Sequence, residues 1–233
     1  MTGYINSIET MGLVDGPGIR VVVFMQGCKL RCLYCHNPET WKLKEGLEMT
    51  PEDLVSKITH YKEYFSNGGG VTFSGGEPLL QPDFLIETLK LCKKNKIHTC
   101  LDTSGVGTSK DKEILENVDL VILDVKASSS DEYTKITSGK IEVLEKFISL
   151  CNELDKKVWV RQVIVPGLND TKENILDLKK YITRINNLEK VELLPYHTYG
   201  MEKYNSLKIP YKLNKVPDMD SDKLLELYNL LVK

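Results

Sequence analysis

No basic side chain precedes Arg20, and Asp15-Gly16-Pro17-Gly18 leaves no room for an apolar leader, so a secretory signal is not expected. Long hydrophobic runs are also missing. Val21-Val22-Val23-Phe24-Met25 is far shorter than the roughly 20 residues needed to cross a bilayer. A cytoplasmic protein without membrane contact is the expectation. Charge of one sign is lacking too: 31 basic and 33 acidic side chains leave a formal charge of −2. That balance gives no overall electrostatic case for a nucleic acid. Linkers and low-complexity tracts are absent, so residues 1–233 read as one domain. A composition of 41% hydrophobic and 27% charged residues is that of a globular chain, which excludes long disorder. A disulfide framework is missing as well. Of six cysteines, Cys28, Cys32 and Cys35 are clustered, whereas Cys92, Cys100 and Cys151 are scattered and read as core. In a reducing compartment such a cluster points to a metal or a redox site.

What is present is alternation. Strands are expected at 19–26, 71–73, 99–102, 120–125, 158–165 and 191–194 from their β-branched and apolar content. Between them run helical stripes. Thr50 and Pro51 look like a helix start, and Leu54, Ile58, Tyr61 and Phe65 continue it until Asn67 and Gly68-Gly69-Gly70 stop it. Further stripes are Phe84 to Cys92, Leu144 to Cys151, Ile175 to Ile185 and Leu224 to Leu230. Six β/α units predict an α/β fold with a mostly parallel sheet. A closed eight-unit barrel needs about 250 residues, so a partial, open (β/α)6 barrel of the TIM type is expected. A doubly wound nucleotide fold would want a glycine-rich turn after the first strand, where this chain has cysteines.

In parallel α/β folds the working residues lie at the carboxyl ends of the strands. Here the first strand leads to Cys28, Cys32, Cys35 and His36, and the second to Ser74-Gly75-Gly76-Glu77. The third ends at Asp102-Thr103, the fourth at Asp124-Val125-Lys126, and the sixth leads to His197. The glycines permit close approach of a ligand to backbone, and Glu77 is suited to an ammonium. Asp102 and Asp124 are placed to share a cation or ribose hydroxyls. Taken singly, each of these residues also suits an ordinary turn, cap or salt bridge. The cysteine spacing, C-x3-C-x2-C, suits an iron–sulfur cluster with one iron left open. A zinc site completed by His36 is the alternative, although structural zinc usually uses two spaced pairs.

Cys28-x3-Cys32-x2-Cys35, with an aromatic before the last cysteine, resembles the radical SAM superfamily. In that family the open iron of a [4Fe-4S] cluster chelates S-adenosylmethionine, which a one-electron reduction cleaves to methionine and a 5′-deoxyadenosyl radical. The stretch from Asp15-Gly-Pro-Gly-Ile-Arg20 through Cys35-His36-Asn37 is similar to the glycyl-radical-enzyme activases. So are Gly68-Gly-Gly-Val-Thr72, Ser74-Gly-Gly-Glu77, His98-Thr-Cys-Leu-Asp-Thr103, Leu123-Asp-Val-Lys126, Val158-Trp-Val-Arg161 and Leu193-Leu-Pro-Tyr-His197. No extra cysteine cluster lies between Cys35 and Cys92, which favours the type that serves pyruvate formate-lyase.

The resemblance implies that Cys28, Cys32 and Cys35 hold the cluster. It implies that Tyr34, His36, Gly75, Gly76, Glu77, Asp124, Val125, Lys126 and His197 meet S-adenosylmethionine. Asp102, Thr103 and Asp124 would supply oxygens to a monovalent cation, sodium or potassium. Asp15 would touch the glycine-bearing loop of pyruvate formate-lyase, with flavodoxin or ferredoxin as electron donor and the chain itself a monomer. Hydrogen abstraction from a backbone glycine is the implied reaction. An activase of another glycyl radical enzyme, a small-molecule enzyme of the deazaguanine synthase type, and a zinc-stabilised binding module are the other readings. The segment from Tyr199 to Lys215 matches the family least.

Overall fold

The computed structural model describes residues 1–232. In chain order it forms β1 (Gly3–Gly12), β2 (Arg20–Met25), β3 (Leu47–Met49), α1 (Pro51–Thr59), β4 (Gly70–Gly75) and α2 (Pro82–Lys94). There follow β5 (His98–Thr103), α3 (Asp111–Asn117), β6 (Leu120–Asp124), α4 (Ser130–Thr137), α5 (Ile141–Glu153) and β7 (Lys157–Ile164). The chain closes with α6 (Lys172–Ile182), β8 (Leu188–Pro195), α7 (Met201–Ser206) and α8 (Ser221–Val232).

All eight strands join one sheet in the order β3-β1-β2-β4-β5-β6-β7-β8. From β2 to β8 every pairing is parallel, so the six expected strands form an open (β/α)6 arrangement. The sheet does not close: β3 and β8 are its two edges. Two strands lie outside the sequence expectation. β1 and β3 add antiparallel to the β2 edge. β1 escapes pattern reading because only its first residues, Gly3 and Ile5, are buried. It covers an edge that would otherwise expose unpaired backbone.

The two faces of the parallel strands differ in chemistry, because successive side chains point to opposite faces. Val21, Val23, Met25, Val71, Phe73, Leu101, Val121, Leu123, Val158 and Val160 pack in the main core with the helices. Each large side chain so buried contributes about 1.5–3 kcal/mol. The alternate positions include Arg20, Thr72, Ser74, Cys100, Asp102, Asp124 and Arg161, and so carry most of the polar chemistry. Register brings Phe24 opposite Ser74, Asp102 opposite Ile122 and Asp124 opposite Arg161. The loop preceding β2 lies on this polar face, with the Asp15 carbonyl accepting from Thr72 Oγ1 at 2.6 Å.

The helices begin as their sequences require. Thr50 Oγ1 accepts from Asp53 N at 3.1 Å with Pro51 in the first turn, and Thr171 Oγ1 accepts from Asn174 N at 3.2 Å. One expectation needs correcting. The stripe through Tyr61 and Phe65 does not extend α1, which ends at Thr59 and gives way to a 3-10 turn at Lys62–Tyr64. Tyr61 and Phe65 still pack on the core, so the stripe reports burial while the backbone bends. α4 is unexpected because only Tyr133, Ile136 and Thr137 of its eight residues are buried.

Candidate active site

The carboxyl ends of β2, β4, β5, β6 and β7 open onto one cleft of about 200 Å³. Its wall includes Cys28, Cys32, Tyr34, Cys35, His36, Gly75, Gly76, Asp102, Thr103, Asp124 and Lys126. Eleven of the sequence candidates thus meet at one place, although they span 99 positions of chain.

The cysteine loop has no regular structure of its own and is held by distant partners. Gly27 N donates to Thr40 O at 2.7 Å, and Cys28 N to Trp41 O at 3.4 Å. Arg31 N and Leu33 N donate to Thr137 O and Ile136 O, at 2.8 and 2.9 Å. The last turn of α4 therefore clamps both neighbours of Cys32. From the far end of the chain, Tyr204 Oη donates to Cys35 O at 3.0 Å. Lys203 Nζ reaches Asn37 Oδ1 at 2.8 Å and Glu39 Oε1 at 2.6 Å. The Tyr199–Lys215 stretch thereby folds back on the loop. All three thiols are free, and burial pushes those of Cys28 and Cys32 up to about 12. A bound metal would have to displace their protons. Among the described residues, no three His, Cys, Asp or Glu side chains converge as ligands of a single ion.

The two glycines at the end of β4 are required by the neighbouring strand. A Cβ on Gly75, whose φ is +104°, would collide with the Met25 backbone, and one on Gly76 with the Gly27 carbonyl. Their absent side chains bring the glycine turn against the cysteine loop, and the same turn lines the cleft.

Beside them Asp102 accepts from Ser74 Oγ at 2.6 Å, and burial raises its carboxyl above the ordinary range although Arg161 pulls it down. Asp124 is ion-paired with Lys126 through Oδ2, while its Oδ1 is buried without a partner. Burial opposes the Lys126 ammonium, but Asp124 and Tyr34 outweigh it and hold the group above its ordinary range. The ammonium lies 5.5 Å from the Tyr34 ring centre, and Tyr34 Oη is also buried and unpartnered. Buried polar atoms are normally satisfied, so orphans around a cleft mark atoms kept for a ligand.

Four candidates do not line the cleft. Glu77 points away: Oε1 accepts from Thr103 Oγ1 at 2.5 Å and Leu79 N at 3.2 Å. Its Oε2 accepts from Ser104 N at 2.9 Å and Ser104 Oγ at 2.5 Å. Burial raises its carboxyl to about 7 against these bonds. Glu77 pins the turns after β4 and β5 together instead of facing a ligand, and the Thr103 hydroxyl is committed to it. Val125 is a buried side chain whose N donates to Arg161 O at 2.8 Å and whose carbonyl accepts from Gln162. His197 stands one ring behind, 4.8 Å from the His36 centroid, with Nδ1 buried and unpartnered. Asp15 sits on the polar sheet face near Arg161 and Arg20, and burial raises its carboxyl against both.

The wall also includes Leu30, Asn37, Thr40, Ser74, Ser104 and Val163, to none of which the sequence assigned a role. Ser74 was legible from strand alternation alone, two residues after Thr72 on the same face. Asn37 and Thr40 carried no such signal. Arg161 was also missed as a tie: it bonds Glu192 Oε2 at 2.7 Å and the Val14 carbonyl, joining β8 to the loop of Asp15.

A three-cysteine loop on an open parallel sheet, with a glycine turn beside it, is the architecture of one large enzyme class. The sequence pattern of the Radical SAM superfamily matches residues 22–179, and the chain belongs to that superfamily as a glycyl-radical-enzyme activase. It is 54% identical over 230 residues to the pyruvate formate-lyase-activating enzyme of Clostridium pasteurianum, covering 98% of this chain and 97% of that one. To the enzyme of the same name from Staphylococcus epidermidis it is 44% identical, covering 98% and 94%. A domain of pyruvate-formate lyase-activating enzyme from Bacteroides vulgatus superposes with a TM-score of 0.57 at 27% identity. That match covers 71% of this chain and 94% of the domain. Streptococcus suis SuiB bound to S-adenosylmethionine shares the fold alone, with a TM-score of 0.67 at 19% identity, covering 88% and 44%. Enzymes of the superfamily use a [4Fe-4S] cluster and S-adenosylmethionine.

Proposed function

We propose that this chain activates pyruvate formate-lyase by promoting removal of one hydrogen atom from a backbone glycine of that enzyme. The observation that carries the reading is the single cleft on which Cys28, Cys32 and Cys35 meet Gly75, Gly76, Asp102, Asp124 and Lys126. Near-complete coverage of the Clostridium relative at 54% identity adds the choice of lyase.

The residues fit the cofactors. A lone zinc needs ligands converging at about 2.0–2.3 Å. Corners of a cubane bind separate irons, so three thiols around one rim suit a cluster. In this reading Cys28, Cys32 and Cys35 hold the [4Fe-4S] cluster. When bound, the cluster and S-adenosylmethionine supply the hydrogen-abstracting radical. The protein's part is to orient and to exclude water. Gly75 and Gly76 offer main-chain groups to the methionyl end. Asp124 Oδ1 and Tyr34 Oη offer unpaired polar atoms, with Lys126 paired to the other oxygen of Asp124. Asp102 and Asp124 provide the carboxylates for a monovalent cation, and Thr103 contributes main chain in place of its committed hydroxyl. His36, backed by His197, closes the side towards α7. Asp15, on a loop tied to Arg161 through Val14, receives the glycine-bearing loop. The whole length works as one domain, as a cytoplasmic monomer that takes electrons from flavodoxin or ferredoxin.

Electron paramagnetic resonance tests this. The anaerobically loaded, reduced chain is expected to show a cluster signal that changes with S-adenosylmethionine. Adding pyruvate formate-lyase should then produce a glycyl doublet. A cluster signal that responds to the cofactor but leaves the lyase silent would move the search to another substrate.

A further inference from the structure

The outer face of the cysteine loop is rich in exposed basic side chains. Three segments meet there. The Cβ position of Gly27 is 3.0 Å from the Leu43 side chain, and Cys28 N donates to Trp41 O. Gly139 packs against Leu30. Together these segments display Lys29, Arg31, Lys42, Lys44 and Lys140, all exposed, around Leu43, which is 52% exposed. Acid is sparse: Glu45 is bonded to Lys42 at 2.6 Å, and Glu142 follows on α5. In a chain of formal charge −2 this is a local cationic surface with an apolar centre. None of its charged side chains lines the cleft.

Arg31 connects this face to the loop. Its Nη1 donates to the carbonyls of Cys28 at 2.8 Å and Leu30 at 2.7 Å, and its guanidinium lies 4.7 Å from the Trp41 ring centre. Under the function proposed above, cofactor and substrate loop fill the cleft. An electron must then arrive through the back of the loop, where Cys28 is already linked to a surface cation.

We propose that the face formed by Lys29, Arg31, Lys42, Leu43, Lys44 and Lys140 docks a small acidic one-electron carrier protein. The inference rests on the cluster assignment. The carrier loses one electron and the cluster gains it; no bond forms or breaks. Opposite charge steers such encounters and raises association rates by about 10–10³ at low ionic strength. The apolar centre around Leu43 supplies the short-range contact.

The test uses the loaded enzyme and reduced flavodoxin. Lys29→Glu/Lys42→Glu/Lys44→Glu is compared with wild type and with a remote control, Lys90→Glu/Lys112→Glu/Lys172→Glu. At low salt the first variant should bind flavodoxin at least tenfold more weakly by calorimetry. It should also be reduced at least tenfold more slowly by flavodoxin in stopped flow. Its rate should lose most of the salt dependence shown by wild type. Reduction by dithionite and iron content should match wild type in both variants. Retained affinity and salt dependence in the first variant, or an equal loss in the control, would overturn the docking face. So would a wild-type cluster that dithionite reduces but flavodoxin does not. A wild type with no reducible cluster would overturn the cluster assignment itself, and the docking face with it.

Discussion

Two groups of buried polar residues share the inner face of this sheet, one at the start of β2 and one at the carboxyl rim. Arg20 is fully buried without a carboxylate in contact, yet its donors are taken. Nε donates to Thr72 Oγ1 at 2.7 Å, Nη1 to the carbonyls of Pro17 and Gly68, and Nη2 to those of Val71 and His98. At the rim, Asp124 Oδ1, Tyr34 Oη and His197 Nδ1 are buried with nothing to bond. A satisfied buried charge ties loops together and serves stability. An unsatisfied one carries a desolvation cost that a ligand can relieve. Tyr34 Oη and Asp124 Oδ1 line the cleft itself, where a ligand can reach them, whereas Arg20 belongs to the framework.

The largest effect should come from the cluster loop itself. Cys32→Ala is expected to retain no iron after anaerobic loading, while thermal unfolding of the metal-free protein stays within about 4 °C of wild type. Full iron retention by that variant, measured by colorimetric assay, would remove Cys32 from the site. Next comes Arg20→Met, which strands the carbonyls that Arg20 serves. Stability should fall by about 3 kcal/mol, or roughly 10 °C in Tm by calorimetry. A change below about 1 kcal/mol would erase the distinction drawn between the two regions.

Glu77 sharpens the comparison because it is satisfied and still titrates. Its folded pKa of about 7 lies above the ordinary glutamate value of 4.5, because the carboxyl is buried. The native state therefore binds the proton more tightly than the unfolded chain. Stability from this group is present below pH 4.5 and is lost as pH rises through 7, by up to about 1.4 kcal/mol per pH unit. Chemical denaturation of wild type and Glu77→Gln between pH 5 and 8 isolates it. The variant should gain on wild type as pH rises, and parallel curves would refute the raised pKa. The smallest effect is expected at the second row of the rim. His197→Ala should weaken S-adenosylmethionine binding about tenfold, near 1.4 kcal/mol, with iron unchanged. Unaltered affinity by equilibrium dialysis would leave His197 as packing for His36.

Much of the framework was legible because parallel strands bury both faces and helices bury a stripe, so the pattern 19–26, 71–73, 99–102 survives in the sequence. β1 and β3 were not legible, since edge strands bury little. Cysteine spacing and strand-end position sufficed to expect Cys28, Cys32, Cys35, Asp102, Asp124 and Lys126 at one rim, where they line one cleft. They did not suffice for Glu77, because strand-end position gives no direction to a side chain that two later residues, Thr103 and Ser104, turn inward.

The amino-acid order by itself determined the six β/α units, the three cysteines on one loop and the rim at which the candidate residues collect. These follow from local periodicity and from covalent spacing, which the chain carries whatever its partners do. Tertiary structure alone decided how the loop is clamped between Ile136-Thr137 and Tyr204. It alone decided which polar atoms were left unpaired. Hydrogen bonds between residues about 100 to 170 positions apart leave no periodic trace, and they exist only once the fold has brought donor and acceptor within about 3 Å.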